Sequence, residues 1–107
     1  MKRGRPVRSQ IRQNIVEILK FMGEGYGYEI HKIYKEIFDP SPTLRVIYYH
    51  LRKGVSLGEF TIKVVKQEQG DFSWGPTAQK TYYGLGPHAK PQILGMVKEF
   101  FEKRAAA

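Results

Sequence analysis

Arginine, lysine and tyrosine carry most of the recognition chemistry in this sequence, and they fall in three groups. Lys2, Arg3, Arg5 and Arg8 surround Gly4 in the opening "KRGRPVR". Arg45, Tyr48, Tyr49 and Arg52, preceded by Thr43 and followed by Lys53, are spaced at three and four residues, as on a helix face. Lys63, Lys66 and Lys80 sit in segments that alternate polar and apolar residues. A guanidinium donates two parallel hydrogen bonds to a phosphate or a guanine edge, a phenol reaches phosphate or a thymine methyl, and an ammonium neutralises a backbone phosphate. All of this is non-covalent recognition of a polyanion. The charge balance agrees: 18 Lys and Arg against 10 Asp and Glu give a net charge of +8, which favours nucleic acid or an anionic surface as partner.

Covalent and metal chemistry find little support. The chain has no cysteine, which removes disulfides, thiol catalysis and cysteine zinc sites. His31, His50 and His88 are scattered without metal-ligand spacing, and Glu24, Glu29 and Glu36 read as a solvated acidic patch. "GEGYGY" places Tyr28 where a dinucleotide fingerprint needs its third glycine, so it reads as a turn. No cofactor, no metal and no enzymatic activity are expected. No apolar run has the length of a membrane span and no apolar leader opens the chain. The expectation is no membrane partner and a cytoplasmic, nucleoid-associated location.

At 107 residues, with 41% hydrophobic and 13% aromatic residues, the chain should fold as one domain. Ile11, Ile15, Ile18, Leu19 and Met22 draw a helical stripe that Ser9 can cap and Gly23 can end. Ile30, Ile33, Tyr34 and Ile37 draw a second, stopping at "DPSP". A third helix is predicted over 42–57, with Ser41 as its cap, Pro42 in its first turn and Gly58 as its stop. Within it Leu44, Ile47, Leu51 and Val55 face one side. Gly54 inside that helix suggests tight packing. Phe60, Ile62 and Val64, then Thr81, Tyr83 and Leu85, alternate as two strands of a hairpin with a long tip over "GDFSWGPTAQ". A last helix carries Ile93, Leu94, Val97, Phe100 and Phe101.

That order resembles a winged helix-turn-helix: three helices, a two-stranded wing and a C-terminal helix, a mainly α fold with a small β-hairpin. "YHLRKGVSLGEF" is similar to the end of a recognition helix and the first wing strand of winged-helix regulators, with Leu51, Gly58 and Phe60 on the matching positions and Gly54 departing from them. "GYGYEIHKIYKEI" resembles the second helix of PadR-type regulators, and small archaeal PadR- or ArsR-like proteins are the nearest likeness. "RGRP" is similar to the core of the AT-hook, and its place before the first helix resembles a homeodomain's minor-groove arm.

The resemblance implies double-stranded DNA as partner. The expected layout is a basic arm over 1–8, a DNA-binding domain over 9–86, a dimerisation helix over 87–104, and a frayed or added end at 105–107. Thr43, Arg45, Tyr48, Tyr49 and Arg52 would address the major groove, with packing beneath the hairpin an equal alternative for either tyrosine. Lys53, Lys63, Lys66 and Lys80 would meet the backbone, and Lys2, Arg3, Gly4, Arg5 and Arg8 the minor groove. Ile93, Leu94, Val97, Phe100 and Phe101 would either close the chain's own core or join a homodimer. A dimeric transcriptional regulator is the first reading. A non-sequence-specific architectural binder and a protein-docking module using Phe72 and Trp74 stand beside it. No effector is specified by the sequence.

Overall fold

The computed structural model describes residues 9–72 and 75–106, with side chains throughout except at 65–79. It is mainly helical with a small antiparallel sheet. The first helix, α1 (Gln10–Met22), starts where the Ser9 hydroxyl accepts the Arg12 amide at 3.2 Å and stops at Gly23, whose φ of 85° suits a residue without Cβ. Ile15, Ile18 and Leu19 are buried along it, with Ile11 and Met22 half-buried at its ends.

"EGY" then departs from the expected turn. Glu24–Tyr26 is a short strand, β1, paired antiparallel to a strand formed far downstream. The helix α2 (Gly27–Ile37) follows directly and buries Ile30, Ile33 and Tyr34. The Tyr34 hydroxyl accepts a 3.0 Å hydrogen bond from the Asn14 amide, which satisfies a polar pair inside the core. Burial pushes the Tyr34 phenol above its ordinary pKa, and the Asn14 bond opposes that rise.

The third helix is α3 (Leu44–Leu57), two residues shorter at its start than predicted. Asp39 is the reason. Its carboxylate accepts both the amide and the hydroxyl of Ser41, so Ser41 closes a turn instead of capping. Pro42 is buried, its carbonyl accepting from His31 Nε2 at 3.0 Å, and the cap passes to Thr43, whose hydroxyl accepts the Val46 amide at 3.2 Å. Gly58 ends the helix in the left-handed region, as expected. Ile47 and Leu51 face inward with no exposure, each worth roughly 1.5–3 kcal/mol relative to an exposed position. Gly54 is buried against the Phe60 ring.

The hairpin is longer than its alternation suggested. Strands β2 (Phe60–Phe72) and β3 (Gly75–Leu85) pair from Phe60↔Leu85 to Phe72↔Gly75, so most of the expected tip is ladder. With β1 the sheet has three strands in the order β1-β3-β2, rather than the two of a simple hairpin. Lys63 is the extra residue of a bulge between the Ile62↔Tyr83 and Val64↔Tyr82 pairs. Ile62 is exposed beside it.

The last helix, α4 (Gly95–Ala106), begins later than the apolar stripe suggested and continues through Ala105 and Ala106. Glu17 sets its start. This fully buried carboxylate accepts the Gln92 amide at 2.8 Å, the Ile93 amide at 2.9 Å and the Gln13 side-chain amide at 2.7 Å. Residues 92 and 93 are thereby held as a non-helical strap across α1, with Ile93 at a φ of 62°. Val97 then drops into the core with no exposure, and Phe101 stacks on Phe21 of α1 at 6.1 Å.

Candidate nucleic-acid interface

The outer face of α3 is built by the same phase that buries Ile47 and Leu51. At about 100° per residue, Arg45, Tyr49, Arg52 and Ser56 share one stripe opposite those two, and Lys53 flanks it. All five are exposed. No acidic residue occurs between Asp39 and Glu59, and among the described residues Arg45, Arg52 and Lys53 form no ion pair. This is a cationic, donor-rich ridge. Thr43 stands exposed at its N-terminal end, with its oxygen committed to the cap.

Tyr48 leaves that ridge. It is half-buried against α2, and a methyl placed on Gly27 would stand 2.2 Å from its ring. Of the two alternatives the sequence left open for Tyr48, the packing one describes its contact with the start of α2. Tyr49 stays outward, 53% exposed, its ring edge-on to His50 at 5.1 Å. Arg52 also lies near the sheet. Burial pushes the Tyr83 phenol up, Tyr48 adds to the rise, and the Arg52 guanidinium opposes it.

Among the lysines of the hairpin, Lys63 is exposed and its stem lies on Gly84. Lys66 and Lys80 are directly paired across the ladder. The side chain of Lys66 lies outside the described set. Lys80 is not a plain backbone-facing cation: its ammonium rests 4.5 Å from the centre of the Tyr26 ring, a cation–π contact. Lys2, Arg3, Gly4, Arg5, Arg8 and Trp74 also lie outside the described residues, as does the side chain of Phe72.

Arg12 is buried in α1, and its Nε donates to Glu59 Oε1 at 2.8 Å. That pair ties α1 to the entrance of β2. Glu59 is 47 positions away, and no local pattern signals the partnership.

His50 lies on the inner flank of the ridge, with Nδ1 buried and unbonded among the described residues. Burial, and then the Arg12 charge, hold its pKa below the ordinary 6.5. The fold thus prefers neutral imidazole, and the unfolded chain takes up the proton first as pH falls. The expected result is full His50-dependent stability above pH 6.5 and a loss as pH drops from there toward the folded-state pKa. Thermal unfolding at pH 7.5, 6.5 and 5.5 checks this, in steps of about one unit. His50→Gln should flatten the dependence, and an unchanged slope in that variant would remove His50 as its source.

Of the expected dimer residues, Val97 is wholly internal, Phe100 and Phe101 are half-buried against the core, and Leu94 is half-buried ahead of α4. Ile93 remains exposed, and Met96 joins it. The stripe is therefore divided, its larger part closing the chain's own core.

Among the described residues no helix is long and apolar enough to cross a membrane, and no group of three or more His, Asp or Glu side chains is placed to hold a metal ion. Comparison of the chain with protein-family models and with curated proteins finds no match.

Proposed function

We propose that this chain binds double-stranded DNA as a winged helix-turn-helix protein, laying α3 in the major groove and acting as a dimeric transcriptional regulator. The observation that carries the reading is the exposed, acid-free ridge of Arg45, Tyr49, Arg52 and Lys53. A helix of this kind, backed by α2 across a short turn and followed by a long hairpin, has the form that enters a major groove. Lys63 meets the phosphate backbone, and the Arg3-Gly4-Arg5 arm follows the adjacent minor groove. Ile93 and Met96, exposed around the start of α4, are the apolar side chains offered there to a second copy.

Selection of bound duplexes from a random pool, at two salt concentrations, tests the reading. The expected product is a palindromic site. Arg45→Ala or Arg52→Ala should each lose about 1–3 kcal/mol on that site and relax preference at one base pair. Lys63→Ala should weaken selected and random duplexes alike and lower the salt slope by about 0.9. Equal losses on both duplexes for the two arginine variants would discard sequence reading in favour of architectural binding. No binding to any duplex would discard DNA as the partner.

A further inference from the structure

A cleft of about 540 Å³ opens between β1, α2 and α4, away from the outward stripe of α3. That volume lies within the range of small-molecule sites. Its walls are aromatic: Tyr26 and Tyr28 are stacked at 6.5 Å with 24° between their planes, and Phe100 faces them from α4. Tyr28 is 52% exposed, and a ligand that stacks on its ring shares that ring with Tyr26 and the Lys32 ammonium. Lys32 sits 5.9 Å from the Tyr28 ring centre and Lys80 4.5 Å from that of Tyr26.

Charges of both signs stand around these rings. Glu29 and Glu36 project from α2, and Lys103 and Arg104 from the last turn of α4. Among the described residues, Glu29, Glu36 and Arg104 form no ion pair, and Lys103 makes only an exposed 3.7 Å contact with Glu99. An aromatic acid would use the rings and cations and bring its charge against two carboxylates. A lipophilic cation would meet the opposite conflict at Lys103 and Arg104. A ligand that fits both sets has a flat base, adjacent N–H donors on one edge, and an anionic group at its far end.

We propose that the cleft binds a free guanine nucleotide. The base stacks on Tyr28. Its ring N–H and exocyclic amine, side by side, donate to one carboxylate of Glu29 or Glu36. The phosphate lies between Lys103 and Arg104. Adenine has no such adjacent pair of donors, so the site prefers guanine. Gly27, between the two tyrosines, bears the Tyr48 ring of α3, and occupancy is therefore one residue from the proposed reading helix.

The test needs no DNA and is independent of the DNA-binding reading. Titration calorimetry of the full chain with GMP should give saturable binding with one site per chain, about tenfold or more tighter than AMP. The double variant Glu29→Gln with Glu36→Gln should lose that preference at unchanged Tm. Arg104→Ala should weaken GMP about tenfold and leave guanosine unaffected. Absence of saturable GMP binding at millimolar concentration overturns the proposal. So does equal affinity for GMP and AMP in the wild-type chain, or a guanine preference that survives the double variant.

Discussion

Glu17→Ala is expected to lower the unfolding free energy by about 2–4 kcal/mol. The carboxylate is wholly buried and accepts from three N–H groups, two of them on the backbone of Gln92 and Ile93. A hydrogen bond to a charged group is worth about 1.5–3 kcal/mol. The loss is less than three such bonds because Gln92 and Ile93 are themselves exposed, so their amides can return to water once the strap lifts. Lifting it withdraws support from Val97 and from the Phe21–Phe101 stack. Glu17→Gln keeps one carbonyl acceptor but turns an N–H donor toward the others, and should cost about half as much. Urea unfolding measures both. An unfolding free energy for Glu17→Ala within about 0.5 kcal/mol of wild type would mean that the strap is not held by this carboxylate.

Gly54→Ala should be destabilising by about 2 kcal/mol, although alanine is the better helix former by about 1 kcal/mol. A Cβ at this position would stand 2.1 Å from Phe60 Cδ2 and 2.4 Å from Cε2. Phe60 is itself buried at 2% exposure and has little room to retreat. Overpacking therefore exceeds propensity. Gly95→Ala is the control: nothing lies within 4 Å of its Cβ and its φ is not positive, so that change should stabilise by up to about 1 kcal/mol. Combining Gly54→Ala with Phe60→Leu should recover part of the loss, giving a coupling of about 1 kcal/mol in a double-mutant cycle. If Gly54→Ala stabilises as Gly95→Ala does, the ring is not confined as described.

The features that could be read from the sequence are those set within one turn of a helix. Ser9, Gly23 and Gly58 do what their side chains, or the lack of one, dictate locally. The exposure of Arg45, Tyr49, Arg52 and Lys53 follows from the phase fixed by Ile47 and Leu51. Tyr48 could not be assigned in this way, because its place depends on Gly27 in another helix. β1 is three residues long, too short to carry a period, and is a strand only because β3 offers it hydrogen bonds. Thr43 replaces Ser41 as cap because Asp39 takes Ser41 first, a competition between two favourable local motifs. Arg12 and Glu17 look like surface charges in sequence, and their partners, Glu59 and the Gln92–Ile93 amides, lie 47 to 76 positions away.

The separation between Glu17 and its strap also orders events during synthesis. The amides that receive this carboxylate are made 75 residues after it, which at about 5–20 residues per second is roughly 4–15 s of translation. Throughout that interval burial of α1 would leave this carboxylate with Gln13 as donor but without its two backbone donors, which disfavours early closure of the nascent helices. Completion of the strap supplies the two missing backbone donors.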